Sequence, residues 1–179
     1  MKYLLFILLI PQLVRSETLQ IQPGELKVED GDTLLVTMHG ETKRVQLLGI
    51  DAPEDVENPK FKMDLKRTAL DQEILLLLGI MASNHLRDLV KQEEMLDLHF
   101  QPGAVDRYGR LQGELYGLSD TSLNRAMIAD GFAVVTLDGS DKKSPLWREL
   151  QQQSVKQKRG LWGLPAMPAR RWAGGLLQH

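Results

Sequence analysis

Residues 28–54 read VEDGDTLLVTMHGETKRVQLLGIDAPE. Thr33–Met38 and Thr42–Gly49 carry β-branched and apolar residues in strand-like runs, and His39-Gly40 between them is turn chemistry. The stretch therefore predicts a hairpin, entered through the turn Asp30-Gly31-Asp32. With the turn near Gly40, paired positions are expected to sum to roughly 80–82, which brings Asp32 near Asp51 at one end of the sheet. Glu54 follows three residues after Asp51, behind Pro53, which fixes the chain direction. Each piece alone is commonly structural: Asp-Gly-Asp as a turn, Asp-Ala-Pro-Glu as a loop ahead of a helix. Together they converge three acids, and oxygen ligands of this type suit a hard cation such as Ca²⁺. No histidine or cysteine cluster lies nearby to favour Zn²⁺.

Outward from this hairpin, Glu25–Val28, Leu96–Phe100 and Leu111–Leu118 read as three further strands. Between the strand groups, Ile74, Leu78, Met81, Leu86, Leu89 and Val90 recur near helical spacing, with Asp71 placed as an N-cap. A shorter helix is expected around Lys60–Arg67, another over Ser122–Asp130 stopped by Gly131, and a third over Ser144–Arg159 with Ser144 as N-cap. The pattern is α+β. A five-stranded, partly open β-barrel with about three packed helices, the OB-fold, fits this order.

The chain has 179 residues, 42% of them apolar, which is one domain with material for a core. It has no cysteine, so disulfides, thiolate metal sites and cysteine nucleophiles are excluded. Residues 1–16 read as a secretory signal peptide: Lys2, an apolar run Tyr3–Ile10, then small Val14 and Ser16 before a cleavage after Ser16. Pro11, Gln12 and Arg15 stop the run far short of a membrane span. The expectation is an exported protein, periplasmic or secreted, with no stable membrane insertion after cleavage. The folded domain is then 17–163, and 164–179, with two prolines and Gly174-Gly175, is expected to be a loose tail. Charge is uneven: Glu17–Gly103 holds 9 Lys+Arg and 17 Asp+Glu, Ala104–His179 holds 11 and 7. That asymmetry agrees with a cation site beside an anion site. Nothing demands more than a monomer.

The basic half contains Asp106-Arg107-Tyr108-Gly109-Arg110 just before a strand. Two arginines in a tight turn offer forked donors that match phosphate oxygens. VEDGDTL, LLGIDAPE, DRYGR, LNRAMIADGFAVV (Leu123 to Val135) and KRGLWG (Lys158 to Gly163) occur in that order. In this the chain resembles the staphylococcal nuclease-like family, the thermonucleases, over Glu25 to about Gly163. The resemblance implies an OB-fold barrel and Ca²⁺-dependent hydrolysis of phosphodiester bonds in DNA and/or RNA. Carried over by residue, it makes Asp32 and Asp51 carboxylate ligands of Ca²⁺, with the backbone carbonyl of Ala52. Glu54 matches the acid that activates or positions the attacking water. Arg110 matches one of two arginines clamping the phosphate, and Arg107 and Tyr108 match contacts to a neighbouring phosphate.

Two positions depart from the family. Gln46 stands where the family has its first catalytic arginine, so a neutral amide replaces a charge. Arg44, two residues earlier on the same strand face, is the candidate substitute. Leu137 stands near a substrate-facing tyrosine of the family. The rival reading is a non-catalytic OB-fold module that binds nucleic acid or another anionic ligand.

Overall fold

The computed structural model describes residues 16–136 and 141–174. The signal-peptide reading and Leu137 fall outside the described residues. The strands are β1 (Glu17–Ile21), β2 (Leu26–Val28), β3 (Thr33–Met38), β4 (Glu41–Leu47), β5 (Ile50–Asp51), β6 (Leu96–Val105), β7 (Leu111–Gly117) and β8 (Val134–Val135). The helices are α1 (Pro59–Thr68), α2 (Gln72–Lys91), α3 (Leu123–Ala129), α4 (Ser144–Lys156) and α5 (Pro168–Ala173).

Six strands make one mixed sheet in the order β1-β6-β7-β4-β3-β2, and β5 pairs with β8 in a second, two-stranded piece. β1 and β2 lie on opposite edges of the large sheet, yet only residues 22–25 connect them. A flat six-stranded sheet would hold its edges about 24 Å apart. Five backbone steps reach at most about 18 Å, and three of the connecting residues, Pro23–Glu25, are coiled into a 3-10 turn. The sheet must therefore curl until its edges approach, which is the half-barrel. Leu34, Val36, Val45, Leu47, Leu96, Leu98 and Leu115 alternate inward along the strands and are fully buried.

The α+β class and the curled barrel agree with the sequence reading; the count does not. Among the described residues, eight strands, several of them very short, replace five, and five α-helices replace about three. β1 was not expected; it is only five residues long, and Leu19 and Ile21 are its two inward-facing residues. The last expected helix begins from an N-cap at Lys143 rather than Ser144, which is itself helical and buried, and stops at Lys156. The segment expected to be a loose tail is packed as far as it is described. Trp172 is 1% exposed, its indole N–H donates to Asp64 of α1 at 3.2 Å, and Arg171 donates to the carbonyls of Thr68 and Ala69 at the end of α1.

The hairpin register also differs. Thr33 pairs with Gln46 and Met38 with Glu41, so His39-Gly40 is a two-residue turn, both residues having positive φ of 52° and 81°. Paired positions sum to 79, and Asp32 lies opposite Leu47 in the ladder, so the pairing alone does not bring it to Asp51. The chain bends after β4 at Gly49, φ 80°, and it is this bend that carries Asp51 and Ala52 back to Asp32.

Candidate active site

Helix α2 is the floor beneath both acidic segments. A Cβ added at Gly79 would lie 2.0 Å from the carbonyl oxygen of Glu54. One added at Gly31 would lie 2.7 Å from Cβ of Ala52 and 2.8 Å from Cβ of Ala82 on the helix. Small residues at these points let the 30–32 turn, the 51–54 segment and the helix meet backbone to backbone.

On this floor Asp32 acts as a tie. Its Oδ2 accepts the N–H of Ala52 at 2.9 Å and its Oδ1 accepts the hydroxyl of Thr33 at 2.9 Å. Asp30 in turn accepts the N–H of Asp32 at 3.0 Å. Asp30, Asp32 and Glu54 are all buried, at 8%, 3% and 6% exposure. Burial first, then the negative charge of Asp32, pushes the Asp30 carboxyl up to about 8. Burial likewise pushes Asp51 up to about 6, against the pull of the Lys60 ammonium. The group holds more negative charge than its surroundings solvate.

Lys60 is the cation in contact with it. Its Nζ lies 2.8 Å from Asp51 Oδ1, 2.6 Å from Glu54 Oε1 and 3.0 Å from the carbonyl oxygen of Ala52. Burial disfavours this ammonium, and the charges of Asp51, Asp32 and Glu54 outweigh burial, holding its pKa above the ordinary lysine value. The start of α1 places it: Asn58 caps the helix by accepting the N–H of Phe61 at 2.9 Å, Pro59 sits at the first turn, and Asn58 also donates to Glu54 Oε2. Among the described residues, no three Asp, Glu, His or Cys side chains form a ready metal cage by themselves. The set gathered round Lys60 is two carboxylates and a carbonyl.

The arginine segment reaches the same place by a parallel pairing. Val45 of β4 pairs with Leu111 of β7, so Arg44 and Arg110, each one residue earlier, arrive side by side. Asp106 shapes the turn that presents Arg110: it accepts the N–H groups of Tyr108 and Arg110 at 2.8 and 3.0 Å and the Arg110 guanidinium at 2.7 Å. Gly109 supplies the positive φ of 77° that closes the turn. A cavity of about 270 Å³ is lined by Asp30, Glu54, Lys60, Arg44, Tyr108 and Arg110.

Of the residues expected from sequence, Asp51, the Ala52 carbonyl and Glu54 meet at Lys60, and Asp32 is bonded to the Ala52 backbone. Arg110 and Tyr108 line the cavity, with the guanidinium 5.4 Å from the Tyr108 ring centre and 3.5 Å from Thr33 Oγ1. Arg107 does not line it; it lies over the exposed Tyr108 ring at 4.8 Å. Gln46 is not among the lining residues, its Oε1 accepting from Thr33 Oγ1 at 3.3 Å, while Arg44 lines the cavity and is paired with Glu29 at 2.7 Å. Sequence reasoning missed Asp30, Asn58 and Lys60. The signal available for the last two was Asn58-Pro59-Lys60, a helix-start motif that delivers a lysine to the second helical position. A larger cavity of about 410 Å³, around His99, Gln112, Glu114, Tyr116 and Lys143, contains none of the predicted residues.

Comparison with known proteins places the chain among nucleases by sequence similarity. The sequence model of the family described as "Staphylococcal nuclease homologue" matches residues 44–163. An "Uncharacterized endonuclease" of Escherichia coli O157:H7 is 31% identical over 147 residues, covering 82% of this chain and 80% of that protein. The "Thermonuclease" of Staphylococcus intermedius is 27% identical over 151 residues, 83% of this chain and 78% of its own length. The "Micrococcal nuclease" of Shigella flexneri is 27% identical over 151 residues, 79% and 74% respectively.

Proposed function

The chain belongs to the staphylococcal nuclease homologue family, and from that premise we propose that it is a Ca²⁺-dependent phosphodiester hydrolase acting on DNA and/or RNA. The observation that carries the reading is that Glu54 and Arg110 line one cavity, beside an all-oxygen cation pocket. The donors fit a hard cation: Asp51, Glu54 and the Ala52 carbonyl already hold a positive charge in the form of the Lys60 ammonium at 2.6–3.0 Å, and Asp32 adds charge behind them. When bound there, Ca²⁺ supplies positive charge to the phosphoryl oxygens and to the developing oxyanion.

The chain's own residues supply the rest. Arg110 offers its fork to the phosphoryl oxygens, held in aim by Asp106. Arg44 lines the same cavity and adds a second guanidinium, in the role that the neutral Gln46 cannot fill. Glu54 positions a water and accepts its proton as the water oxygen bonds to phosphorus. The P–O ester bond then breaks and its leaving oxygen takes a proton from solvent. Tyr108, 66% exposed at the rim, meets the neighbouring part of the strand, with Arg107 stacked on its outer side.

Export, with cleavage after Ser16, belongs to the same proposal; it is supported by the apolar run Tyr3–Ile10, and it is checked by mass spectrometry of protein released from cells, with Glu17 as the expected N-terminus. Among the described residues no helix is long and apolar enough to cross a membrane. The activity is tested by zymography on single-stranded DNA with Ca²⁺ or with chelator. A Ca²⁺-dependent clearing zone that Glu54→Gln removes is the expected result. Retention of DNA without any cleavage at saturating Ca²⁺ would establish the binding-module reading instead.

A further inference from the structure

We propose that Lys60 is the resident counter-ion of the cation pocket, and that Ca²⁺ enters only by displacing it. The inference rests on the Ca²⁺ reading above. An ammonium has three protons, and those of Lys60 have three acceptors within reach: Asp51 Oδ1 at 2.8 Å, Glu54 Oε1 at 2.6 Å and the Ala52 carbonyl at 3.0 Å. Asp51 and Ala52 supply the oxygens proposed to hold the metal, and Glu54 is the acid beside it. A cation bonded to those oxygens and an ammonium donating to them cannot coexist, because their lone pairs are shared and the two positive charges repel at contact distance.

The lysine has a way out. Its side chain is 41% exposed, and it projects from the first turn of α1, where the partial positive charge of the helix end repels an ammonium. The carboxylates, not the helix, hold it in place. Its side chain lines the cavity that Arg44, Tyr108 and Arg110 also line, which gives it an outward path.

Calorimetric titration of Ca²⁺ into the purified wild type, Lys60→Met and Lys62→Met tests the competition. Lys62 lies exposed on the same helix and serves as the control for general charge. Removing the competitor should tighten Ca²⁺ binding by about tenfold or more, the equivalent of one charge-assisted hydrogen bond. Lys62→Met should change it by less than about twofold. Should Lys60→Met unfold too readily to titrate, thermal melts against Ca²⁺ concentration replace calorimetry. Its Tm should then climb more steeply with Ca²⁺ than that of wild type. Equal affinities, or parallel Tm curves, in a wild type that requires Ca²⁺ for cleavage would overturn this inference alone. Cleavage indifferent to chelator, with no Ca²⁺ bound by any of the three proteins, would overturn the Ca²⁺ reading and this inference with it.

Discussion

Gln46 stands where the family pattern has an arginine, and Arg44 is the substitute proposed for it. The antiparallel ladder sets Gln46 opposite Thr33, and the two side chains meet at 3.3 Å. Arg44 stands on the same strand face, and the β4–β7 pairing brings it beside Arg110. Its ion pair with Glu29 is half-exposed and holds it weakly. Arg44→Ala should therefore lower kcat/KM on single-stranded DNA by about 10²–10³, the usual cost of one charge-stabilising donor. Gln46→Arg should change it little; a large gain there with an unaffected Arg44→Ala would reverse the assignment. At this scale the acids and arginines were legible because chemistry rare in ordinary loops recurs in fixed order. Lys60 was not, because nothing in the sequence says that the first turn of α1 folds back over Asp51 and Glu54.

Two elements hold these residues, and each can be disturbed separately. Helix α2 presses Gly79 against the Glu54 backbone, so Gly79→Ala sets a helix-propensity gain of about 1 kcal/mol against a Cβ placed 2.0 Å from a carbonyl oxygen. The backbone must give way. A net loss of about 1–3 kcal/mol in urea unfolding is expected, with a fall in kcat as Glu54 shifts. The Asp106 turn is governed by charge instead. Burial pushes the Asp106 carboxyl up, but the hydrogen bonds from Arg110 and Tyr108 outweigh it and hold the pKa below 3.8. A carboxyl lowered in the folded state stabilises above its unfolded pKa, and that stability is lost as pH falls through the lower folded value. Asp106→Asn should thus be less stable than wild type at neutral pH. The gap should close as the pH is taken below about 3.8 in denaturant titrations; a gap constant down to pH 2 would contradict it. The elements were largely readable from periodicity and turn residues. Their register was not: the sum of 79 follows from a two-residue turn with positive φ at His39, a choice the sequence left open.

The whole molecule is a closure problem, and here the sequence was least informative. Curling was implied by the barrel-like order of strands, but the strand that completes the curl was missed: Glu17–Ile21 is only five residues long, and its inward side is just Leu19 and Ile21. The packing of α5 was likewise hidden. Prolines and glycines suggested looseness, whereas Trp172 and Arg171 reach back across more than a hundred residues to α1. That brace supports the helix whose other end carries Lys60, so the far end of the chain stabilises the site without touching it. β1 has a different importance. It pairs along its whole length with Leu96–Phe100 of β6, while the opposite edge of the sheet is only the three-residue β2, with Lys27 exposed on it. Deprived of β1, the Leu96–Phe100 half of β6 would offer an open row of backbone donors and acceptors to any other chain in solution. A protein lacking residues 17–21 should therefore sediment as dimers and larger species at concentrations where the intact chain is a monomer; a truncated protein that stays monomeric and only melts earlier would refute this. The first strand matters less for the contacts it adds than for the templating of one molecule by another that it prevents.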